Sequence, residues 1–282
     1  MSPEPATAAA PRREPHISVS ALQMYQRCPQ QYEFRYLKGL RIPPGVAQIR
    51  GRAFHEGIAH NFRQKVDSRV DLPVDEVQGA TAEKVDAEFA GEVFLLPDER
   101  SVGLSNLRGA TKDAAVRMIG VHHEQIAPAI QPTLVERSIT LRPDPAKFPI
   151  NITGILDLAD EQDFIRDNKT GSKTPNKDAA EKSQQLTMYA LLFRALTGRQ
   201  ERGVALDTVV MTEKGNLSTN IQESRRDGAD IEALKARLSV TLAAIKTGIF
   251  PPTNPDSWWC SEKWCGYWDD VCPFGRKGGG AR

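Results

Sequence analysis

Between Thr133 and Lys169 the chain carries three short runs, Thr133–Leu141, Ile150–Ala159 and Asp163–Lys169. Each is rich in β-branched residues and partly alternates, and Pro and Asp clusters separate them. Such runs read as neighbouring strands. The residues around them read differently. Upstream, apolar positions recur at helical spacing: Leu22, Tyr25 and Gln26 begin one stripe, which Cys28-Pro29 interrupts and Gln31 to Leu40 resumes. Ser20 and Gln23 have the spacing of a capping box at the start of that stripe. Gly51–Val66 repeats Phe54, Ile58 and Phe62 on one face, and 76–90 and 108–126 also read as helices. Downstream come a helix at Asp178–Thr197, strands at Val204–Thr212 and Leu217–Ile221, and a long helix at Asp230–Gly248. This order specifies an α/β chain: a mixed central sheet flanked by helices, with a helical N-terminal region and a cysteine-rich C-terminal segment.

At 282 residues the chain can bury a substantial core. The expected organisation is a disordered tail at 1–16, a single domain at 17–274 and a flexible tail at 275–282. Within the domain, 17–130 is mainly helical, 131–222 holds the sheet, and 223–274 is a helix followed by the cysteine segment. The opening residues, rich in Pro and Ala, contain no apolar core of signal-peptide length. No stretch approaches the roughly 18 apolar residues of a membrane span, and the expected location is cytoplasmic. The net charge of +1 argues against a purely electrostatic nucleic-acid binder, so any such contact needs a local basic groove.

Asp157 closes the apolar string Gly154-Ile-Leu-Asp157, and ten residues later Asp167-Asn168-Lys169 follows on the next strand. Residues two apart on a strand share a face, so Asp167 and Lys169 project together, and a hairpin would bring Asp157 towards Asp167. Converging carboxylates repel unless a cation lies between them. Mg²⁺ or Mn²⁺ suits such oxygen ligands, with the Asn168 backbone carbonyl a further donor and Lys169 placed to assist a water nucleophile. A bare Asp-x-Lys is more often a surface ion pair; the wider context weighs against that here. His55, in GRAFHEG, sits where Phe54 and Ile58 would turn its helix towards the core, within reach of a site. Gln185 and Tyr189 share one helical face.

Four cysteines complete the set: Cys28 far upstream, and Cys260, Cys265 and Cys272 within the last segment. Four thiolates match the ligand count of structural Zn²⁺ or of an iron–sulfur cluster. Spacings of five and seven are unlike the CxxC of zinc ribbons and tilt the reading towards iron–sulfur. Trp258, Trp259, Trp264, Tyr267 and Trp268 can shield such a group.

The strings SVSALQMYQRCPQQYEFRY, GRAFHEG, GILDLAD, DFIRDNKTG and QLTMYA, with the C-terminal cysteines, resemble the RecB/AddB-like branch of the PD-(D/E)XK nucleases. That branch includes the CRISPR-associated exonuclease family with an iron–sulfur cluster. The resemblance implies a restriction-endonuclease-like fold, with divalent metal held by His55, Asp157 and Asp167 and catalysis assisted by Lys169. It further implies a Q-x-x-x-Y motif at Gln185 and Tyr189, and a 4Fe-4S cluster on Cys28, Cys260, Cys265 and Cys272. Glu136 lies in the strand before the first aspartate, where relatives often carry an acidic residue. The chain departs from the family at polar Asn168 and in its wider cysteine spacing. The implied activity is a Mg²⁺- or Mn²⁺-dependent DNA exonuclease acting on single strands or ends, in recombination, repair or CRISPR-type processing, in a bacterial, archaeal or phage setting. The alternative is a non-catalytic DNA-binding or assembly subunit. No P-loop string is present, so unwinding would need a separate helicase partner, with a recombination or CRISPR adaptation partner as the other candidate.

Overall fold

The computed structural model describes residues 16–145, 148 and 150–275. The tails expected at 1–16 and 275–282 lie outside the described residues, except for His16 and Gly275. The chain runs β1 (His16–Ser18), α1 (Val19–Arg27), α2 (Pro29–Tyr32), a π-turn at Glu33–Leu37, α3 (Val46–Ser68), α4 (Val74–Phe89) and α5 (Leu104–Gln125). It continues with β2 (Pro132–Leu141), β3 (Asn151–Asp160), β4 (Phe164–Gly171), α6 (Ala179–Lys182) and α7 (Gln184–Thr197). The final elements are β5 (Gly203–Met211), β6 (Leu217–Ser224) and α8 (Gly228–Lys246). The expected mixed sheet flanked by helices is what forms.

Three local readings are corrected. The first helix is capped by Ser18, whose side chain accepts the Ala21 N–H at 3.2 Å; Ser20 lies inside the helix. The helix expected over 178–197 breaks at Ser183, which caps α7 by accepting the Leu186 N–H. The strand after Met211 runs to Ser224, three residues beyond the expected end.

The sheet has the order β1-β3-β4-β5-β6, with β2 also paired to β3. Antiparallel β2 follows one edge of β3 from Ile152 to Asp160. The other edge is shared. Parallel β1 takes residues 151–153, and antiparallel β4 takes only Leu158 and Ala159. Between these two partners the edge of β3 is open, and Asp157 sits in the opening. Beyond it, β4 pairs with β5 in parallel along its whole length, and β5 pairs antiparallel with β6.

One core lies between the sheet and α1, α7 and α8, through Leu22, Leu156, Leu192, Phe193 and Leu234. Gly154 permits this contact, since a Cβ there would stand 2.6 Å from Leu192 Cδ1. A second core packs α3 and α5 on the sheet through Phe54, Phe62, Met118, Ile119 and Leu158. Here Gly57 lets α3, α4 and α5 meet, because a Cβ would fall 2.1 Å from Thr81 Oγ1. Glycines at such approaches trade chain entropy for proximity.

Candidate metal and catalytic site

The register of β2 and β3 puts Glu136 opposite Asp157, between the pairs Val135–Leu158 and Arg137–Leu156. Glu136 adopts φ of +46°, a left-handed backbone inside a strand. Non-glycine residues held there cost on the order of 1–3 kcal/mol, and the conformation persists only where surroundings impose it. Its effect is visible in the packing. Residues two or four apart on a strand normally share a face. Here Leu156 joins the first core and Leu158 the second, and Ile139 and Val135 divide the same way. Both strands therefore swap faces at this step, where Glu136 and Asp157 lie.

α3 supplies the third group. Phe54 is fully buried and Ile58 nearly so, which anchors the helix and presents His55 to the strands. His55 Nδ1 lies 3.5 Å from Asp157 Oδ2 and 3.7 Å from Glu136 Oε1. Ligand atoms of His55, Glu136 and Asp157 all fall within 4.8 Å of one another, the one such trio among the described residues. Burial pulls the His55 imidazole down, but its hydrogen bond to Glu136 and the charge of Asp157 outweigh this and hold it above its ordinary value.

The expected ligand set was His55, Asp157, Asp167 and the Asn168 carbonyl. The trio contains the first two and adds Glu136; Asp167 adjoins it through Asp157, whose charge acts on its carboxyl. Asp167 is buried, and its Oδ1 accepts from Lys169 Nζ at 2.6 Å. Its Oδ2 is buried without a hydrogen-bond partner. Burial pushes this carboxyl up to about 7; the Lys169 ammonium opposes the shift and Asp157 adds to it. An acceptor left unpaired beside a second carboxylate is what a cation would satisfy. The donors are carboxylates and one imidazole, and they fit a divalent ion such as Mg²⁺ or Mn²⁺.

Because β4 leaves β3 after two pairs, the Asn168 N–H has no strand partner there, and it donates to Asp157 Oδ2 at 3.3 Å. In an extended strand the N–H and C=O of one residue face the same edge, so the Asn168 carbonyl faces the opening too. The Asn168 side chain points to the other face, where its Oδ1 lies 3.2 Å from Nε2 of buried His122 on α5. Nothing in the sequence singles out His122. Burial lowers its imidazole to about 3, so it is neutral, and its ring packs edge-on to Phe54.

From α7, Tyr189 donates its hydroxyl to Asp157 Oδ1 at 3.1 Å, and Gln185 Nε2 donates to the Tyr189 oxygen at 2.7 Å. Burial, followed by the charges of Asp157 and Asp167, raises the Tyr189 phenol, which stays a donor. The two residues thus form a relay that fixes Asp157.

The site opens into a cleft of about 1050 Å³. His55, Glu136, Asp157, Lys169 and Gln185 line it together with residues of α1, the π-turn, the start of α3 and the cysteine segment. A smaller cavity of about 690 Å³ between α4, α5 and β6 holds none of these groups.

Cys28 and Cys265 are buried, and Cys260 and Cys272 partly so. Burial raises the Cys260 thiol, and the nearby Cys265, Cys28 and Cys272 raise it further, so the four share one neighbourhood. Gln31 Nε2 donates to Cys265 Sγ at 3.0 Å. Among the described residues, no three of these sulfurs lie mutually within 4.8 Å. Of the expected shielding aromatics, Tyr267 is buried, whereas Trp258 and Trp264 are largely exposed.

A family model described as the PD-(D/E)XK nuclease superfamily matches residues 16–273. Among solved structures, the chain is similar to a candidate exonuclease from Eubacterium rectale, with a TM-score of 0.53 and 13% identity over 87% of this chain and 86% of that one. It also matches the structure of SSO0001, at a TM-score of 0.37 and 13% identity over 78% of this chain and 96% of that one. No curated protein matches the sequence significantly.

Proposed function

Since the chain belongs to the PD-(D/E)XK nuclease superfamily, we propose that it is a Mg²⁺- or Mn²⁺-dependent deoxyribonuclease that hydrolyses phosphodiester bonds as an exonuclease, on single strands or DNA ends. The observation that carries this reading is the meeting of His55, Glu136 and Asp157 in the gap where β4 departs from β3, with Lys169 lining the same cleft. The fold-similar protein from Eubacterium rectale, described as a candidate exonuclease, is compatible with action at ends.

His55, Asp157 and Glu136 would hold the metal, with Asp167 and the Asn168 carbonyl at its margin. The ion, when bound, supplies Lewis acidity towards the phosphate and makes water a competent nucleophile near neutral pH. Lys169, about 40% exposed at its side chain, reaches from Asp167 towards the cleft and can stabilise charge on the phosphate or take part in proton transfer. Tyr189 and Gln185 orient Asp157, and Asp167 holds the Lys169 ammonium in place.

The four cysteines would carry a 4Fe-4S cluster. The count of four thiolates and their spacing along the chain, unlike the CxxC of zinc ribbons, favour the cluster. A role in recombination, repair or CRISPR-type processing, with a separate helicase partner, follows from the same family reading.

The test is digestion of 5′- and 3′-labelled DNA with Mn²⁺ or Mg²⁺, alongside Asp157→Asn and Lys169→Ala. Progressive loss of label by the wild type, stopped by EDTA and by either substitution, is expected. Undiminished degradation by both variants, or none by the metal-loaded wild type, overturns the assignment. Anaerobically purified protein should absorb near 400 nm; zinc without that band would overturn the cluster.

A further inference from the structure

Besides the carboxylates, the cleft is lined by segments far apart in sequence that carry exposed rings beside cations. Trp264 is 48% exposed and Tyr36 40% exposed, and both line the cleft that contains His55, Asp157 and Lys169. Lys263 Nζ lies 5.6 Å from the Trp264 ring centroid, and the Arg35 guanidinium lies 5.8 Å from that of Tyr36. Each ring is braced from behind. Tyr36 leans on Tyr32 at 4.9 Å, and Trp264 stands edge-on to Trp258 at 5.1 Å.

This lining is also fixed in position. The Tyr267 hydroxyl donates to the Leu40 carbonyl at 2.7 Å, and a Cβ on Gly266 would stand 2.6 Å from Ile42. The cysteine segment is therefore seated tightly on the residues that follow the π-turn. Its Lys263 and Trp264 line the cleft, and the Trp264 ring stays half exposed.

The cleft, at about 1050 Å³, reaches the upper end of the range for small-molecule pockets, ~300–1,000 Å³. Braced, half-exposed rings with adjacent cations along a groove are how proteins hold unpaired bases while following a phosphate backbone. A duplex presents its bases already stacked and offers no free face to such rings.

Resting on the nuclease reading above, we propose that Tyr36 and Trp264 form a base-stacking platform. It selects single-stranded DNA and feeds its backbone to the carboxylates of the same cleft. Lys263 and Arg35 contribute phosphate contact. The cysteine segment thereby acts as a specificity-determining part of the cleft.

Binding of fluorescein-labelled oligothymidylate, measured by anisotropy in EDTA with the whole protein, tests this independently of cleavage. Stacking is worth about 1–3 kcal/mol per base, so Trp264→Ala and Tyr36→Ala should each weaken binding about 5- to 150-fold. Trp264→Phe should keep most of the affinity, and blunt duplex should bind every variant alike. A thermal unfolding midpoint unchanged from wild type shows that the segment is intact in each variant. Wild-type protein should also bind an abasic strand of equal length as poorly as the Tyr36→Ala/Trp264→Ala double variant binds oligothymidylate. Equal wild-type affinity for abasic and base-bearing strands overturns the platform, as does a parallel loss of duplex binding in the alanine variants. Wild-type protein that binds as described but cuts nothing would sink the nuclease reading and leave the platform standing.

Discussion

Replacing His122 by Phe should reveal how the strand that carries Asp167 and Lys169 is held from behind. The imidazole and the Asn168 amide are both buried and lie 3.2 Å apart, Nε2 to Oδ1. A phenyl ring preserves the edge-on packing against Phe54 and Phe62 but has no polar atom. The Asn168 oxygen is then buried and unpaired, which costs about 1–3 kcal/mol. For a chain of this size each kcal/mol shifts Tm by roughly 2–4 °C, so a drop of a few to about ten degrees is expected. Asn168→Leu alone strands the imidazole N–H at a similar cost. The double variant leaves neither group unpaired and should recover most of both losses, because replacing both partners of a buried hydrogen bond with apolar groups approaches neutrality.

Thermal unfolding of the four proteins at pH 7 measures this cycle. A double variant destabilised by the full sum of the singles refutes the hydrogen-bond account. The pH profile is a second readout. His122 is held near 3 when folded against an ordinary value near 6.5, so its contribution is fully present above pH 6.5. It is lost as pH falls towards 3, because only the unfolded chain takes up the proton in that window. His122→Phe should flatten the stability profile across that range, and an unchanged slope would count against burial of a neutral ring.

Tyr189→Phe removes the donor to Asp157 Oδ1 and should lower Mn²⁺ affinity or cleavage rate about 10- to 100-fold with little change in fold, as titration calorimetry and end-label assays would show. Glu136→Gly should be more stable than Glu136→Ala, by about 1 kcal/mol in urea unfolding, since glycine accepts φ of +46° freely; equal stability would deny the strain. Gly57→Ala drives a methyl into Thr81 and Ile119 and should cost about 1–3 kcal/mol or more, with His55 displaced and metal affinity reduced. Asp167, raised to about 7 from an ordinary 3.8, favours the metal-free fold below 3.8 and loses that contribution as pH rises through 7. Mn²⁺ should accordingly raise Tm more at pH 8 than at pH 5, and the reverse order would contradict a buried carboxyl beside the ion.

Strands β2 to β6 were legible in the sequence because runs rich in β-branched residues stand between Pro, Asp and Gly clusters. β1 was not. Three residues cannot alternate visibly, and His16–Ser18 form a strand because β3 offers an open edge. The break at Ser183 was hidden for another reason: a capping serine inside a helical pattern reads as one more polar position. His55, Asp157, Asp167 and Lys169 stood out by residue type and spacing, and all four sit at the opening in the sheet. Glu136 was present as an acidic residue on the right strand, but its backbone twist comes from the tertiary setting and leaves no compositional trace. His122 had no signal at all, since its partner lies 46 residues away on a different element.

The remaining lining of the cleft joins residues near 20–36 to residues near 263–267, so its halves are about as distant along the chain as any two segments can be. Contacts of such separation form late, after much loop entropy has been spent. A chain cut before Lys263 would thus keep the segments that carry His55, Glu136 and Asp157 while lacking half of the cleft's lining on the cysteine side.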